Sequence, residues 1–317
     1  MSISVKTKGE KTPVKFCIRL VRWLIIFLIL VLLFYALPPE PVSAAWDETT
    51  YVTVLTPEPE TMTMAQYLLG ALAAEMPAQF ELEALKAQAV AIRTYVLSST
   101  HHTGEGLSVC TDSQCCLAYD DKTALQALWG QDYAQNCARL QSAVKATDGQ
   151  YLTYDGQAIQ AVFHASSPGQ TEDSASVWSA LPYLVAVSSP ETVESVPNLV
   201  SDLTVSPTEL AQALGFAATG DPSQWVQGIR YTDSGRVRAI LLNGQVYTGA
   251  AVRAALGLKS TAFSLVWTED GFVFLVAGSG HGVGMSQRGA NLLADQGLSY
   301  DAILAHYYTG TALETLT

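Results

Sequence analysis

At 317 residues, with 49% hydrophobic and 15% charged positions, the chain is long enough to bury a sizeable core and carries a formal net charge of −12. Six of its 17 basic residues and one of its 29 acidic ones fall within the first 22 positions, so the remainder carries −17. So acidic a body repels polyanions, which excludes a general nucleic-acid footprint and leaves a neutral sugar polymer or a protein as the easier partner.

In chain order, residues 1–22 form a basic tail containing Lys6, Lys8, Lys11, Lys15, Arg19 and Arg22, followed by an unbroken apolar run from Trp23 to Leu37. Basic residues ahead of an apolar run predict a cytoplasmic tail and a single-pass anchor at 23–37, with the body outside the cytoplasm. The run is short against the roughly 17–25 residues of a usual span. Val42-Ser43-Ala44 also fits a small-residue cleavage site, so a cleaved signal peptide is the competing reading. Residues 38–60, rich in proline and acid, read as a linker with one strand at Tyr51 to Leu55, ahead of one domain over 61–317.

Met64 to Ala74 is an apolar helix that should end near Met76, because a residue preceding proline avoids the helical region. Glu81 to Ser98 is a second helix with Leu85, Ala89, Ile92 and Val96 on one stripe, and its alanines suit a central position. A cysteine-bearing loop, His101 to Asp121, leads to a helical stretch over Thr123 to Thr147. Tyr151 to Tyr154 and Ala158 to His164 read as a hairpin turning at Asp155-Gly156. Ser188 to Pro207 reads as a loop or insertion, and Pro207 to Leu214 as a short helix.

The pattern then turns β-rich, with strands at Gln227 to Thr232, Val237 to Asn243 and Gln245 to Tyr247, and a hairpin of Phe263 to Thr268 with Phe272 to Ala277. Helices at Gln287 to Gln296 and Tyr300 to Tyr307 close the chain. Without regular βαβ alternation the class is α+β: a mixed domain with a central Ala-rich helix and antiparallel hairpins, behind an N-terminal anchor.

Three features carry chemistry. Glu75, in Glu75-Met76-Pro77, stands at the expected C-terminal end of an apolar helix, where the macrodipole opposes ionisation. In Gly280-His281-Gly282-Val283-Gly284-Met285-Ser286-Gln287, glycines permit close backbone approach to a ligand and Ser286 can cap a helix. Of the five cysteines, Cys110, Cys115 and Cys116 are clustered, which suits a metal better than a framework of loop staples. A disulfide of Cys110 with Cys115 or Cys116, or a pairing with Cys137, is the alternative in an oxidising compartment. There is no His-Glu-x-x-His, so a zinc amidase or peptidase is poorly supported.

Several segments, in order, resemble one family: "YLLGALAAEMPAQFELEALKAQAVAIRTYVL" from Tyr67, "FHASSPGQTEDSASVWSALPYLVAV" from Phe163, "SGRVRAILLNG", "VRAALGLKSTAF", and "GSGHGVGMSQRGANLLADQGLSYDAILAHYYTG" from Gly278. This set resembles the stage II sporulation protein D family, peptidoglycan lytic transglycosylases of endospore-forming bacteria, from about Met64 to the C-terminus. The resemblance implies a membrane-anchored enzyme that cleaves wall glycan strands during forespore engulfment, together with an amidase and a multispan membrane protein. It implies Glu75 as general acid/base, with Ser286 and Gln287 the preferred glycan contacts. Arg93, His164, Ser166, Ser167, Thr171 and His281 are further candidates. Of these, His164, Ser166, Ser167 and Thr171 could equally form turns, and His281 could orient Glu75, bind sugar hydroxyls or be an ordinary packed histidine. Arg93, expected to face out of its helix, would clamp a substrate carboxyl or, more simply, pair with an acid. Ser167-Pro168-Gly169 stands where the family shows Ser-Gly-Gly, and the proline removes one N–H. Some members hold zinc through one histidine and two cysteines, which implies His102 (His101 in another register), Cys110 and Cys116 here, with Cys115 a further candidate and water or a substrate group as fourth ligand. The family domain also occurs in amidase enhancers, so a non-catalytic wall-binding or enhancing role is the alternative function.

Overall fold

The computed structural model describes residues 45–316 apart from 57, 103, 105–107 and 114, together with Trp23. The basic tail and, Trp23 aside, the expected anchor lie outside the described residues. Among the described residues no helix is long and apolar enough to cross a membrane.

The elements are α1 (Trp46–Thr49), β1 (Tyr51–Thr56), β2 (Glu58–Thr63), α2 (Met64–Glu75), α3 (Leu82–Ser98), β3 (Val109–Cys110), α4 (Lys122–Trp129), α5 (Tyr133–Ala146), β4 (Gln150–Tyr154), β5 (Gln157–Ala158) and β6 (Phe163–His164). There follow β7 (Val200–Val205), α6 (Pro207–Leu214), β8 (Val226–Tyr231), β9 (Val237–Leu242), β10 (Gln245–Thr248), α7 (Gly249–Leu256), β11 (Phe263–Thr268), β12 (Gly271–Ala277), β13 (Met285–Ser286), α8 (Gln287–Asp295), α9 (Tyr300–Tyr307) and β14 (Ala312–Thr315). The α+β class expected from the sequence is what forms.

Two apolar cores organise these elements. The first surrounds α3, in which Ala84, Leu85, Ala87, Ala89, Val90, Ala91 and Ile92 are all buried, so the helix is covered on every side. Its alanines let α2, α5, α8, α9 and β4 pack closely against it. The second core gathers Val237, Ile240 and Leu242 of β9, Phe272 and Phe274 of β12, Leu210 of α6 and Val252 of α7. It is enclosed by two antiparallel sheets, ordered β10-β9-β8 and β11-β12-β7.

The segment expected as a linker is folded from Trp46 onward. β1 and β2 make an antiparallel hairpin, and β3 joins β1 in parallel. Asp47 of α1 is buried against α3: Arg93 Nε donates to its Oδ1 at 2.8 Å, Nη2 donates to Oδ2, and Nη1 reaches the carbonyl of Gln150 at 2.8 Å. Arg93 therefore does not face outward. It is fully buried and its guanidinium is committed within the protein, so it offers no clamp for a substrate.

Three other boundaries differ from expectation. The stretch over 123–147 is two helices, split at Gly130, whose φ of +51° leaves the right-handed helical region. Ser188 to Pro207 contains β7, whose partner β12 supplies the register that local sequence cannot show. Phe163–His164 is not the return arm of the hairpin, which β4 completes with β5. It pairs in parallel with Met285–Ser286 instead, Phe163 opposite Met285 and His164 opposite Ser286, and so brings together two distant motif-bearing segments.

Candidate functional site

Glu75 is the last residue of α2. Thr63 opens the helix through a reciprocal capping box with Gln66, and Met76, extended at φ −131° and ψ 139° ahead of Pro77, closes it. Glu75 is partly exposed. Burial raises its pKa above the ordinary value of 4.5, while a side-chain hydrogen bond from Gln287 and a backbone one from Ala118 pull it back down. The helix C-terminus reinforces the rise. Gln287 Nε2 donates to Glu75 Oε2 at 3.0 Å. The first residue of α8 thus meets the last residue of α2.

Behind Gln287 lies a buried polar network. Ser286 caps α8, its Oγ accepting from the N–H of Gly289 at 3.3 Å and donating to Glu191 Oε1. The same Glu191 oxygen accepts the backbone N–H of Ser167 at 2.9 Å. Ser167 Oγ in turn receives Arg236 Nη2 at 3.1 Å and lies 2.6 Å from His164 Nε2. His164 Nδ1 lies 3.1 Å from the Val283 carbonyl, which can only accept, so Nδ1 carries the proton and Nε2 accepts the Ser167 hydroxyl. Burial, with His281 and Arg236 nearby, holds the His164 pKa well below 6.5. The imidazole stays neutral at physiological pH.

Of the other expected contacts only His281 is more than slightly exposed; Gln287 itself is 5% exposed. Ser166 is buried and exchanges backbone hydrogen bonds with Ser279. Thr171 is fully buried, its hydroxyl bonded to the backbone of Val187. His164, Ser167 and Ser286 are likewise buried and hydrogen-bonded within the protein, and of the five only His164 and Ser166 keep a few per cent of their surface. Gln287 reaches the site through its contact with Glu75. His281 is partly exposed, accepts the Val283 N–H on Nδ1 at 3.1 Å, and packs edge-on against Trp178, with ring centroids 5.3 Å apart. Burial first, then the charges of Arg253 and Arg236, lowers the His281 pKa to about 4.

Three participants escaped the sequence reading. Glu191 lies in the stretch taken for a loop. Arg236 immediately precedes β9, and its side chain reaches Ser167 and packs against Gly282, where a Cβ would collide with the guanidinium. Trp178 is 45% exposed beside His281, and its place in a quoted motif was the only sign available. A cavity of about 680 Å³ is lined by Glu60, Gln66, Gly70, Tyr119, Asp121 and Tyr133 among others, and Glu75 does not border it.

His102, Cys110, Cys115 and Cys116 bring their donor atoms within 4.8 Å of one another. Cys115 Sγ lies 3.4 Å from His102 Nε2 and 3.9 Å from Cys116 Sγ. Thiolates at the zinc–sulfur distance of about 2.3 Å stand about 3.8 Å apart at the corners of a tetrahedron, so the donor set fits a four-coordinate ion without an added ligand. The cysteines described are free thiols. Cys137 is not part of the cluster. The loop also touches the carboxyl site, since Ala118, two residues past Cys116, supplies the backbone hydrogen bond to Glu75.

A family model described as SpoIID, stage II sporulation protein, matches residues 56–154, the span holding α2, α3 and the cysteine loop. Stage II sporulation protein D of Bacillus amyloliquefaciens is 39% identical over 282 residues, covering 86% of this chain and 79% of that protein. The chain belongs to the stage II sporulation protein D family. The protein of that name from Bacillus subtilis (strain 168) is 37% identical over 261 residues, covering 80% of this chain and 75% of its own. The amidase enhancer of Bacillus subtilis (strain 168) is 30% identical over 306 residues, covering 78% of this chain but 40% of the enhancer. The likeness to these relatives covers far more of the chain than the residues the family model matches.

Proposed function

We propose that this member of the family is a lytic transglycosylase acting on peptidoglycan glycan strands, with Glu75 as its single general acid/base. The observation that carries the reading is a partly exposed glutamate at a helix end, with its pKa raised by burial and its orientation set by Gln287. Glu75 protonates the glycosidic oxygen between N-acetylmuramic acid and N-acetylglucosamine as the C1–O bond breaks. The resulting carboxylate then takes the proton of the muramyl 6-hydroxyl as its oxygen bonds to C1, which restores the acid and leaves a 1,6-anhydro end. One carboxyl suffices because the nucleophile belongs to the substrate, unlike the paired carboxylates of ordinary glycosidases. Gln287 holds Oε2 of Glu75 and leaves Oε1 to carry the proton, and Trp178 with His281 offers an aromatic ledge to a sugar ring.

His102, Cys110, Cys115 and Cys116 would hold a zinc ion whose contribution is structural, pinning the loop that bears Ala118. In the same proposal an anchor at 23–37 keeps the domain at the outer face of the cell membrane during engulfment. A sporulation amidase that strips stem peptides and a multispan membrane protein are its partners, and nucleic acid is not. The likeness to an amidase enhancer supports a second reading, a non-catalytic protein that stimulates a hydrolase.

Digestion of purified, peptide-free glycan strands separates these readings. Anhydromuramyl ends by mass, absent with Glu75→Ala, support the transglycosylase. Reducing ends point to a hydrolase, and intact strands with stimulation of an amidase point to the enhancer.

A further inference from the structure

The Glu75–Gln287 contact can be no better placed than the N-terminus of α8, and one side chain outside all the recognised motifs fixes that terminus. Glu191 is 4% exposed. Its Oε1 accepts both the Ser286 hydroxyl and the Ser167 N–H, which ties the α8 cap to the Ser167-Pro168-Gly169 turn. Its Oε2 lies against Gly289, where a Cβ would come within 2.9 Å of it and within 2.2 Å of the Tyr307 hydroxyl. A carboxyl at a helix N-terminus is favoured by the macrodipole and by the free N–H groups of the first turn. Removing it would release Ser286 on one side and Ser167, with its Arg236 and His164 partners, on the other.

We propose that Glu191 is the positioning residue that seats Gln287 against Glu75. In turnover the proposal rests on the glycan-cleaving reading, since only there does the placement of Glu75's proton matter. Glu191 does not touch Glu75 and acts through Ser286 and the first turn of α8. Among the described residues, the groups that bear on Glu75 are Gln287 from α8, the Ala118 backbone from the cysteine loop and, in charge interaction from its own helix, Tyr67. Among these, Gln287 is the one Glu191 can move. A glutamine at 191 would keep an oxygen for Ser286 and Ser167, so on this proposal the carbonyl geometry is enough to hold Gln287 in place even without the charge.

The test reads the proton on Glu75 directly, by ¹³C NMR titration of labelled glutamate carboxyls, with the Glu75 signal assigned by its absence in Glu75→Gln. Gln287→Ala removes a bond that favours the anion, so the Glu75 midpoint should rise by about 0.5–1 unit, a 3- to 10-fold drop in its acid dissociation constant. Glu191→Ala should raise it in the same direction. The double variant Glu191→Ala/Gln287→Ala should rise no further than Gln287→Ala alone, and Glu191→Gln should stay near the wild type. Should Glu191→Ala fail to fold, Ser286→Ala, which cuts the link at the next atom, takes its place with the same expectation.

An unmoved midpoint in the folded Glu191→Ala or Ser286→Ala variant overturns the proposal. So does a shift that adds to that of Gln287→Ala, or a Gln287→Ala variant that leaves Glu75 where it was. The titration needs no substrate. Expected shifts in a protein that leaves glycan strands intact would therefore keep this assignment and remove the transglycosylase reading instead.

Discussion

Gln287 Nε2 and Glu75 Oε2 meet at 3.0 Å although 212 positions separate the two residues in the chain. The contact unites the end of α2 with the start of α8, so the acid and its orienting amide stand on two helices packed against the same central α3. A site built on helix termini that share one buried neighbour is stiffer than one built on loops.

Replacing Glu75 separates chemistry from fold. Its folded pKa is raised above 4.5, so the stability this group lends is full below the unfolded pKa and is lost as pH rises through the folded one. Glu75→Gln should therefore be at least as stable as the wild type at neutral pH by thermal melting. Loss of the general acid should lower glycan cleavage by about 10²–10⁴-fold, followed as anhydromuramyl product by mass. A melt that collapses along with the activity would remove the distinction.

The same raised pKa sets the direction of the pH profile. The acid form of Glu75 persists above the ordinary carboxyl range, and cleavage should decline on the alkaline side as pH passes through that raised value. Because the Gln287 bond favours the anion, Gln287→Ala should push the alkaline limb to higher pH while lowering the maximal rate. A limb that moves to lower pH would contradict the assigned direction of that bond.

Arg93 should behave as a structural residue. Its guanidinium makes a two-point contact with Asp47 and a third bond to Gln150, all under full burial. Breaking one side of such a pair leaves a buried charge unpaired and costs about 3–5 kcal/mol. Arg93→Ala and Asp47→Ala should each lower Tm by on the order of 10 °C, with the double variant far less than additive. Arg93→Lys should rescue little, because an ammonium cannot make the two-point contact. Undiminished stability combined with weakened glycan binding would return Arg93 to the substrate.

Much of the fold was legible because its signals are local. The apolar run and the Pro77 stop placed α2, the alanine-rich text placed α3, and the two short apolar strands placed the β11–β12 hairpin. What escaped depends on distant partners. Arg93 reads as an outward cation until Asp47, in a stretch that looks like linker, folds back onto it. Phe163–His164 has the alternation of a hairpin arm, but its partner is a two-residue strand more than a hundred positions away. Glu191 had no motif at all. At the site, the resemblance pointed to Glu75 and Gln287 together, but only the structure shows the hydrogen-bond network of His164, Ser167 and Ser286 behind Gln287.

The cysteine cluster predicts a bound metal and a closed coordination sphere. Elemental analysis of protein purified without chelator should find about one zinc per chain, with Cys115→Ser weakening retention and Cys137→Ser leaving it unchanged. Chelation should lower Tm, because binding energy at a structural site contributes to folding stability. If Cys115→Ser retained zinc as tightly as the wild type, the fourth position would not belong to Cys115.

The histidines give the fold an acid weakness of known sign. His281 titrates at about 4 when folded against 6.5 when free, so the unfolded chain binds the extra proton first. Its contribution to stability is whole above pH 6.5 and is lost as pH falls toward about 4, which is worth roughly 3 kcal/mol over the full interval. His164, buried beside it with its own pKa held low, adds in the same direction. Denaturant melts across this window should show a falling midpoint. Replacing His281 by glutamine should flatten the part of that slope that belongs to it, even if it lowers stability at neutral pH. A slope that survives unchanged in His281→Gln would mean that the acid sensitivity lies elsewhere in the chain.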